Sequence, residues 1–111
     1  MDSELLKGTL SLLILSLLSR KPMYGYEIAA TVHRDTDGTF TWREGSLYPS
    51  LHKLEQGGLI VGEWEEKETG RKRRYYRITR EGRAALKDKR ESWSELCQAV
   101  NQILEKSNGK A

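Results

Sequence analysis

Leucine or isoleucine fills positions 5, 6, 10, 12, 13, 14, 15, 17 and 18. That density wraps apolar surface well beyond the single stripe one small core requires. The pattern predicts a first helix over residues 3–19 with Ser3 as its cap. Part of it, carried by Leu5, Leu12 and Leu15, is expected to meet another chain. SRKPM breaks this helix, because a proline disfavours helical geometry in the residue before it. In YGYEIAATVHR, Gly25, Ile28, Ala29 and Val32 recur at helical spacing, and DTDGT closes that second helix with turn chemistry.

The stretch EGSLYPSLHKLEQGG, residues 44–58, places Leu47, Leu51 and Leu54 on one stripe of a third helix that ends at Gly57 and Gly58. Pro49 lies within it, where a helix interior charges ~3 kcal/mol for a proline. Two starts fit the residues. Ser46 as N-cap puts Pro49 at the third helical position, where no intrahelical donor is needed. A start from the box Thr41–Glu44 leaves Pro49 inside, with a local kink.

The period then changes. LIVGEWEE is rich in strand formers, ETG marks a turn, and RKRRYYRIT alternates, with Tyr76 and Ile78 on one side and Tyr75 and Arg77 on the other. This predicts a β-hairpin with a basic return strand. Thr79 then caps a long helix in which Leu86, Trp93 and Val100 recur every seven residues, with Leu96 and Ile103 as a companion line. A seam of that kind packs on another helix. The fold class is therefore mainly α with a small β-hairpin: a winged helix-turn-helix plus a long C-terminal dimerisation helix. Residues 1–79 form the winged-helix part, 80–106 the dimerisation helix and 107–111 a frayed tail, all in one compact unit.

Charge sharpens this picture. The formal net charge is only +3, yet residues 71–90 hold ten Lys or Arg against two acids, leaving the remainder net negative. Such asymmetry points one face at a polyanion. A single cysteine, Cys97, excludes an internal disulfide framework and a cysteine-based zinc cluster, and fits a reducing compartment. TLSLLILSLLS follows a net-negative segment and is too short to span a bilayer, so the chain is expected in the cytoplasm with no membrane contact.

Catalysis finds no constellation. His33 and His52 fall on different helices, no nucleophile motif accompanies Cys97 and no phosphate-binding glycine loop is present, so no enzyme, cofactor or metal is expected. Double-stranded DNA is the better partner. With its leucines inward, the third helix turns Ser46, Tyr48, Pro49, Ser50, His52 and Lys53 outward, toward base edges and phosphates. Gly70 permits a tight turn at the wing, and Arg71, Lys72, Arg73 and Arg74 follow it as a phosphate-contacting ribbon.

GSLYPSLHKLEQGGLI, followed by a Trp-containing strand, GRKRRYYRIT and EGRAAL, closely resembles the PadR family of bacterial transcriptional regulators, and YGYEI agrees with the same pattern. The likeness runs from the first helix to about Leu104. It implies a homodimeric repressor whose C-terminal helix crosses onto the partner's first helix, so that Leu86, Trp93, Leu96, Val100 and Ile103 join Leu5, Leu12 and Leu15 at the interface. It further implies DNA contact through Ser46, Tyr48, Pro49, His52 and Lys53, with Tyr24 and Tyr26 near phosphate and the wing on Arg71 to Arg74. The single C-terminal helix is like that of the family's short members. Some members bind aromatic compounds at the dimer interface, which makes Trp93 the candidate effector residue. The competing reading is a winged-helix protein-interaction module, in which an acidic partner meets the same basic wing.

Overall fold

The computed structural model describes residues 8–107. Helix α1 (Leu10–Leu18) leads to a short strand β1 (Met23–Tyr24), then α2 (Gly25–Asp35) and α3 (Glu44–Gln56). Strands β2 (Ile60–Glu66) and β3 (Lys72–Ile78) form the wing, and α4 (Arg80–Ser107) runs 28 residues to the last described residue. Ser3 and Leu5 lie outside the described residues. The architecture is a winged helix with a long C-terminal helix.

The leucine-rich first helix anchors the core. Leu10, Ile14, Leu15, Leu17 and Leu18 are all buried in it, against Ile28 and Val32 of α2 and the Leu47, Leu51 and Leu54 stripe of α3. Trp42, ahead of α3, is also buried there. The helix pair α2 and α3 is joined by a tight turn in which Asp37 and Gly38 take positive φ, while the Thr36 hydroxyl donates to the Val32 carbonyl at 2.7 Å. The Arg20 guanidinium reaches Asp35 at 2.7 Å and ties the end of α1 to the end of α2.

One expectation is corrected, and one alternative left open by the sequence is decided. The sheet has three strands in the order β1-β3-β2, not two, because the chain after Pro22 runs extended beside β3 with Met23 opposite Tyr76 and Tyr24 opposite Tyr75. Helix α3 starts at Glu44 with Arg43 at its N-cap and no side-chain cap bond, so Ser46 is not the cap. The Ser46 and Leu47 amides donate to the Arg43 carbonyl, each at 3.0 Å. Pro49 is thus inside the helix and offers no donor to the Gly45 carbonyl. Both residues are exposed, so water can serve that acceptor.

Helix α4 begins as the sequence implies. Thr79 Oγ1 accepts from the Gly82 amide at 3.0 Å and donates to the Gly58 carbonyl at 2.7 Å, joining the cap to the end of α3. A Cβ at Gly82 would lie 2.0 Å from the Leu59 carbonyl oxygen, so only glycine lets α4 seat this closely. Leu15 and Leu86, expected at the dimer interface, are buried in the chain's own core instead. Their methyls already have partners, which leaves Trp93, Leu96, Val100 and Ile103 as the exposed part of the seam.

Candidate nucleic-acid interface

The stripe of leucines that buries α3 fixes which side of it faces out. Gly45, Ser46, Pro49, His52, Lys53 and Gln56 are all exposed, so the outward face is polar along its whole length. Ser46 is freed from capping, and its hydroxyl is available in the first turn. Gly45 and Gln56 belong to this face but went unnoticed in the sequence. Gln56 follows His52 and Lys53 by one turn, so spacing alone could have found it, whereas Gly45 joins the face only because the helix starts at Glu44. Nothing lies within 4 Å of a Cβ built on Gly45, so its glycine serves no packing need inside the chain.

Tyr48 sits at the edge of that face, half exposed, and lies over the start of α2. Its hydroxyl is 3.2 Å from where a Gly25 Cβ would be, so the bare glycine lets α3 and α2 approach at this point. Across from it stands the wing. Tyr48, Tyr24 and Tyr26 on the helical side and Lys72, Arg73 and Arg74 on the wing side line one open groove of about 650 Å³, floored by Tyr76. Expected site residues from three separate segments thus line one groove, whereas Ser46, Pro49, His52, Lys53 and Arg71 do not line it.

The wing cations are not equivalent. Register sets Glu66 opposite Lys72, Glu65 opposite Arg73 and Trp64 opposite Arg74. The acids of β2 thus stand against the basic run that dominates the sequence. Arg77 pairs with Glu63. Arg74 turns inward, forms an ion pair with Glu55 of α3 and lies over the Trp64 ring at 5.5 Å and the Tyr76 ring at 5.9 Å. Its charge is neutralised within the chain, so the expectation of Arg74 as a free phosphate ligand is corrected to a tie between wing and α3. Among the described residues Arg71 and Lys72 join no ion pair. Arg73 rests on the Tyr24 ring at 4.6 Å.

The aromatic residues form a linked set. Tyr24 stacks on Tyr26 at 6.3 Å and meets Tyr75 edge-on at 5.4 Å. Burial pushes the Tyr76 phenol above its ordinary pKa, so it stays protonated. A hydrogen bond with Tyr75 raises the Lys67 ammonium likewise. Trp64, 66% exposed, is the site residue that charge-based sequence reasoning passed over. An aromatic in a strand pattern reads as core until the fold shows which face it takes.

A model of the PadR-like transcriptional regulator family matches residues 14–88, from the middle of α1 into the first turns of α4. The chain belongs to the PadR-like family. Solved structures of transcriptional regulators share its fold over most of its length. A transcriptional regulator from Clostridium thermocellum superposes with a TM-score of 0.84 at 35% identity, covering 92% of this chain and 96% of its own. A PadR family regulator from Eggerthella lenta gives 0.80 at 37% identity, over 92% and 87%. Transcriptional regulator Rv3488 of Mycobacterium tuberculosis is 50% identical over half of each chain. Transcriptional regulator YqjI of Escherichia coli is 36% identical over 76% of this chain, which spans 39% of YqjI.

This PadR-like chain keeps its remaining expected residues elsewhere. Trp93 lies on α4 beside a shallow cavity of about 230 Å³ shared with Leu12 and Leu96. His33 is exposed at the end of α2, with its Nδ1 3.2 Å from the Thr41 hydroxyl. The family is one of regulators and not an enzyme class. Among the described residues no helix is long and apolar enough to cross a membrane, and no cluster of three or more His, Cys, Asp or Glu is arranged to hold a metal.

Proposed function

We propose that this PadR-like regulator is a cytoplasmic, homodimeric repressor that binds operator DNA with the outward face of α3 in a major groove and the wing on the flanking backbone. The observation that carries this reading is the common surface: Tyr48 of α3, Tyr24 and Tyr26 at the start of α2 and Lys72 and Arg73 of the wing line one groove. Ser46, His52, Lys53 and Gln56 offer donors and acceptors to base edges, while Arg71, Lys72 and Arg73 supply charge for phosphate. In this reading the Tyr24 and Tyr26 hydroxyls bond phosphate oxygens.

Dimerisation is inferred from α4. Trp93, Leu96, Val100 and Ile103 are 44–65% exposed along one line of the helix, an apolar strip that a single chain leaves in water. A second copy would cover it and set two α3 helices at a fixed spacing on a palindromic site. Release of the operator by a small aromatic effector stacked on Trp93 belongs to the same reading.

A second reading, a protein-interaction module, draws on Trp64 and Tyr26, which are 66% and 74% exposed beside the wing. Exposed aromatics of that kind anchor protein interfaces. One titration separates the two. DNA from upstream of the chain's own gene should bind far more tightly than random DNA, with affinity falling steeply as salt rises. Equal affinity for random DNA at every salt concentration defeats the repressor reading.

A further inference from the structure

The basic run of residues 71–90 does not end with the wing, and operator binding uses only its first part. Arg80, Arg83, Lys87 and Arg90 lie on α4 at spacings of three, four and three residues, which set them on one stripe of the helix. At the helical rise per residue the stripe is about 15 Å long. All four residues are exposed, and among the described residues none of them joins an ion pair. Arg90 donates to the Ser16 hydroxyl of α1 at 3.4 Å.

A merely solvated helix face mixes its signs. Here each step along the stripe, 80 to 83, 83 to 87 and 87 to 90, sets like charge beside like, an arrangement that weakens a helix. The acids that would relieve it are present but segregated: Glu81, Asp88, Glu91 and Glu95 form a stripe of their own about a quarter turn round α4. Only Lys87 and Glu91 stand at helical spacing across the two stripes, and they close no ion pair. The basic stripe is also remote from the operator surface. Strand β3 carries the chain six residues on from Lys72 to Ile78, about 20 Å at the rise of an extended chain. None of the four cations lines the groove between α3 and the wing. The apolar line of Trp93, Leu96, Val100 and Ile103 is centred over about a third of a turn away round α4, so a partner on that line leaves the stripe open.

We propose that this stripe is a second DNA-backbone site, so that the protein holds its operator on α3 and the wing and a second duplex segment on α4. A duplex presents roughly one negative charge per 1.7 Å of its axis, or about nine over the length of the stripe. Three of the four cations are arginine, whose planar fork takes two phosphate oxygens at once. The acidic stripe beside them limits contact to one narrow backbone ridge and repels a broad anionic surface such as a vesicle. Holding two segments at once rests on the operator reading above, whereas the affinity of the stripe for a backbone does not.

A bead-capture experiment with the full chain tests the second site. Duplex from upstream of the chain's own gene is fixed to beads and loaded with protein, free protein is washed away, and a labelled random duplex is added. Wild type should retain the labelled duplex, with retention falling steeply as salt rises. Arg83→Gln combined with Lys87→Gln removes two charges and keeps good helix formers at exposed positions. That double variant should retain about tenfold less, while its loading onto the upstream duplex stays within about twofold of wild type. Glu91→Gln removes an acid one turn from Lys87 and should retain more than wild type, a gain that a merely structural stripe would not give. Matching thermal melts establish that the variants fold.

Failure of wild type to retain the second duplex overturns the proposal, as does equal retention by the double variant. A parallel loss of loading and retention assigns the stripe to the operator duplex itself and overturns the second site. Displacement of the labelled duplex by polyglutamate as effectively as by unlabelled duplex at equal charge assigns the stripe to an acidic protein, and overturns it too. If upstream and random DNA bind wild type equally in solution, the operator reading fails by itself. The stripe then stands if the double variant binds that DNA more weakly than wild type, and falls if it does not.

Discussion

Glu55 in the last turns of α3 and Arg74 in the middle of β3 form an ion pair that joins the helix facing outward to the wing beside it. Both side chains are about one-quarter to one-third exposed, at 26% and 30%. The pair therefore lies between the surface regime, worth roughly 0–1 kcal/mol, and the buried one, where loss of one partner costs roughly 3–5 kcal/mol. Glu55 also accepts from the Gly62 amide, so one carboxylate serves α3, β2 and β3 together.

Glu55→Gln keeps the shape and removes the charge. It should destabilise the chain by about 1–3 kcal/mol, read as a fall of several degrees in melting temperature. Operator affinity should fall with it, since wing and α3 would no longer be held at one angle. A melting temperature equal to wild type would show that the pair contributes nothing.

Gly62→Ala reaches the same pair from the other side. A Cβ there would lie 2.5 Å from Arg74 Nε and must displace the guanidinium from Glu55. The double variant with Glu55→Gln should be less destabilised than the sum of the two single variants, because both remove one interaction. Additive losses in a urea denaturation cycle would place the cost of Gly62→Ala elsewhere.

The free wing cations should behave differently from Arg74. Arg71→Ala and Lys72→Ala should each lower the slope of log affinity against log salt by about 1, with melting temperature unchanged. Arg74→Ala should lower the melting temperature instead. A salt slope that Arg71→Ala and Lys72→Ala leave untouched would remove the wing from the phosphate contacts.

Gly45→Ala sets stability against binding. Its Cβ meets nothing within 4 Å, and alanine is the better helix former by about 0.5–1 kcal/mol. The variant should melt higher and bind operator DNA more weakly, because the added methyl stands on the face that approaches the groove. Unchanged affinity would place Gly45 outside the contact.

Asp35 gives the acid limb. The hydrogen bond from Arg20, the largest cause, holds its carboxyl below the ordinary 3.8 despite an opposing contribution from burial. A depressed folded pKa means the contribution is present above 3.8 and disappears as pH falls through the lower folded value. Asp35→Asn should flatten the dependence of melting temperature on pH in that window and leave it unaltered near neutrality apart from a constant offset. An unchanged slope below pH 3.8 would separate the ion pair from acid stability.

The proposed dimer rests on the apolar line of α4. Leu96→Glu and Val100→Glu replace exposed side chains, 56% and 44% accessible, and so spare the chain's own core. Each should shift the sedimentation coefficient toward the monomer and reduce affinity for a palindromic site. A stable dimer in both variants would move the interface off this strip.

The order of the helices and the wing hairpin, the inward stripe of α3, the alternation of Tyr76 and Ile78 and the Thr79 cap were legible in the sequence, because each depends on spacing within one segment. Local spacing sets which face a residue takes once its element forms. The third strand was not, since Met23 and Tyr24 become a strand only by pairing with Tyr76 and Tyr75. Local chemistry left two starts open for α3, at Ser46 or within Thr41–Glu44, and the fold takes the second, with Arg43 at the N-cap.

Charge was the least legible property. A run of basic residues in the sequence promised a uniformly cationic wing, yet strand register sets the acids of β2 against it and α3 supplies Glu55 to Arg74. The sequence by itself determined the elements and the residues able to meet a polyanion. Only the tertiary structure decided which of them are left unpaired, because neutralisation acts across space between residues such as 55 and 74 and leaves no trace in their neighbours along the chain.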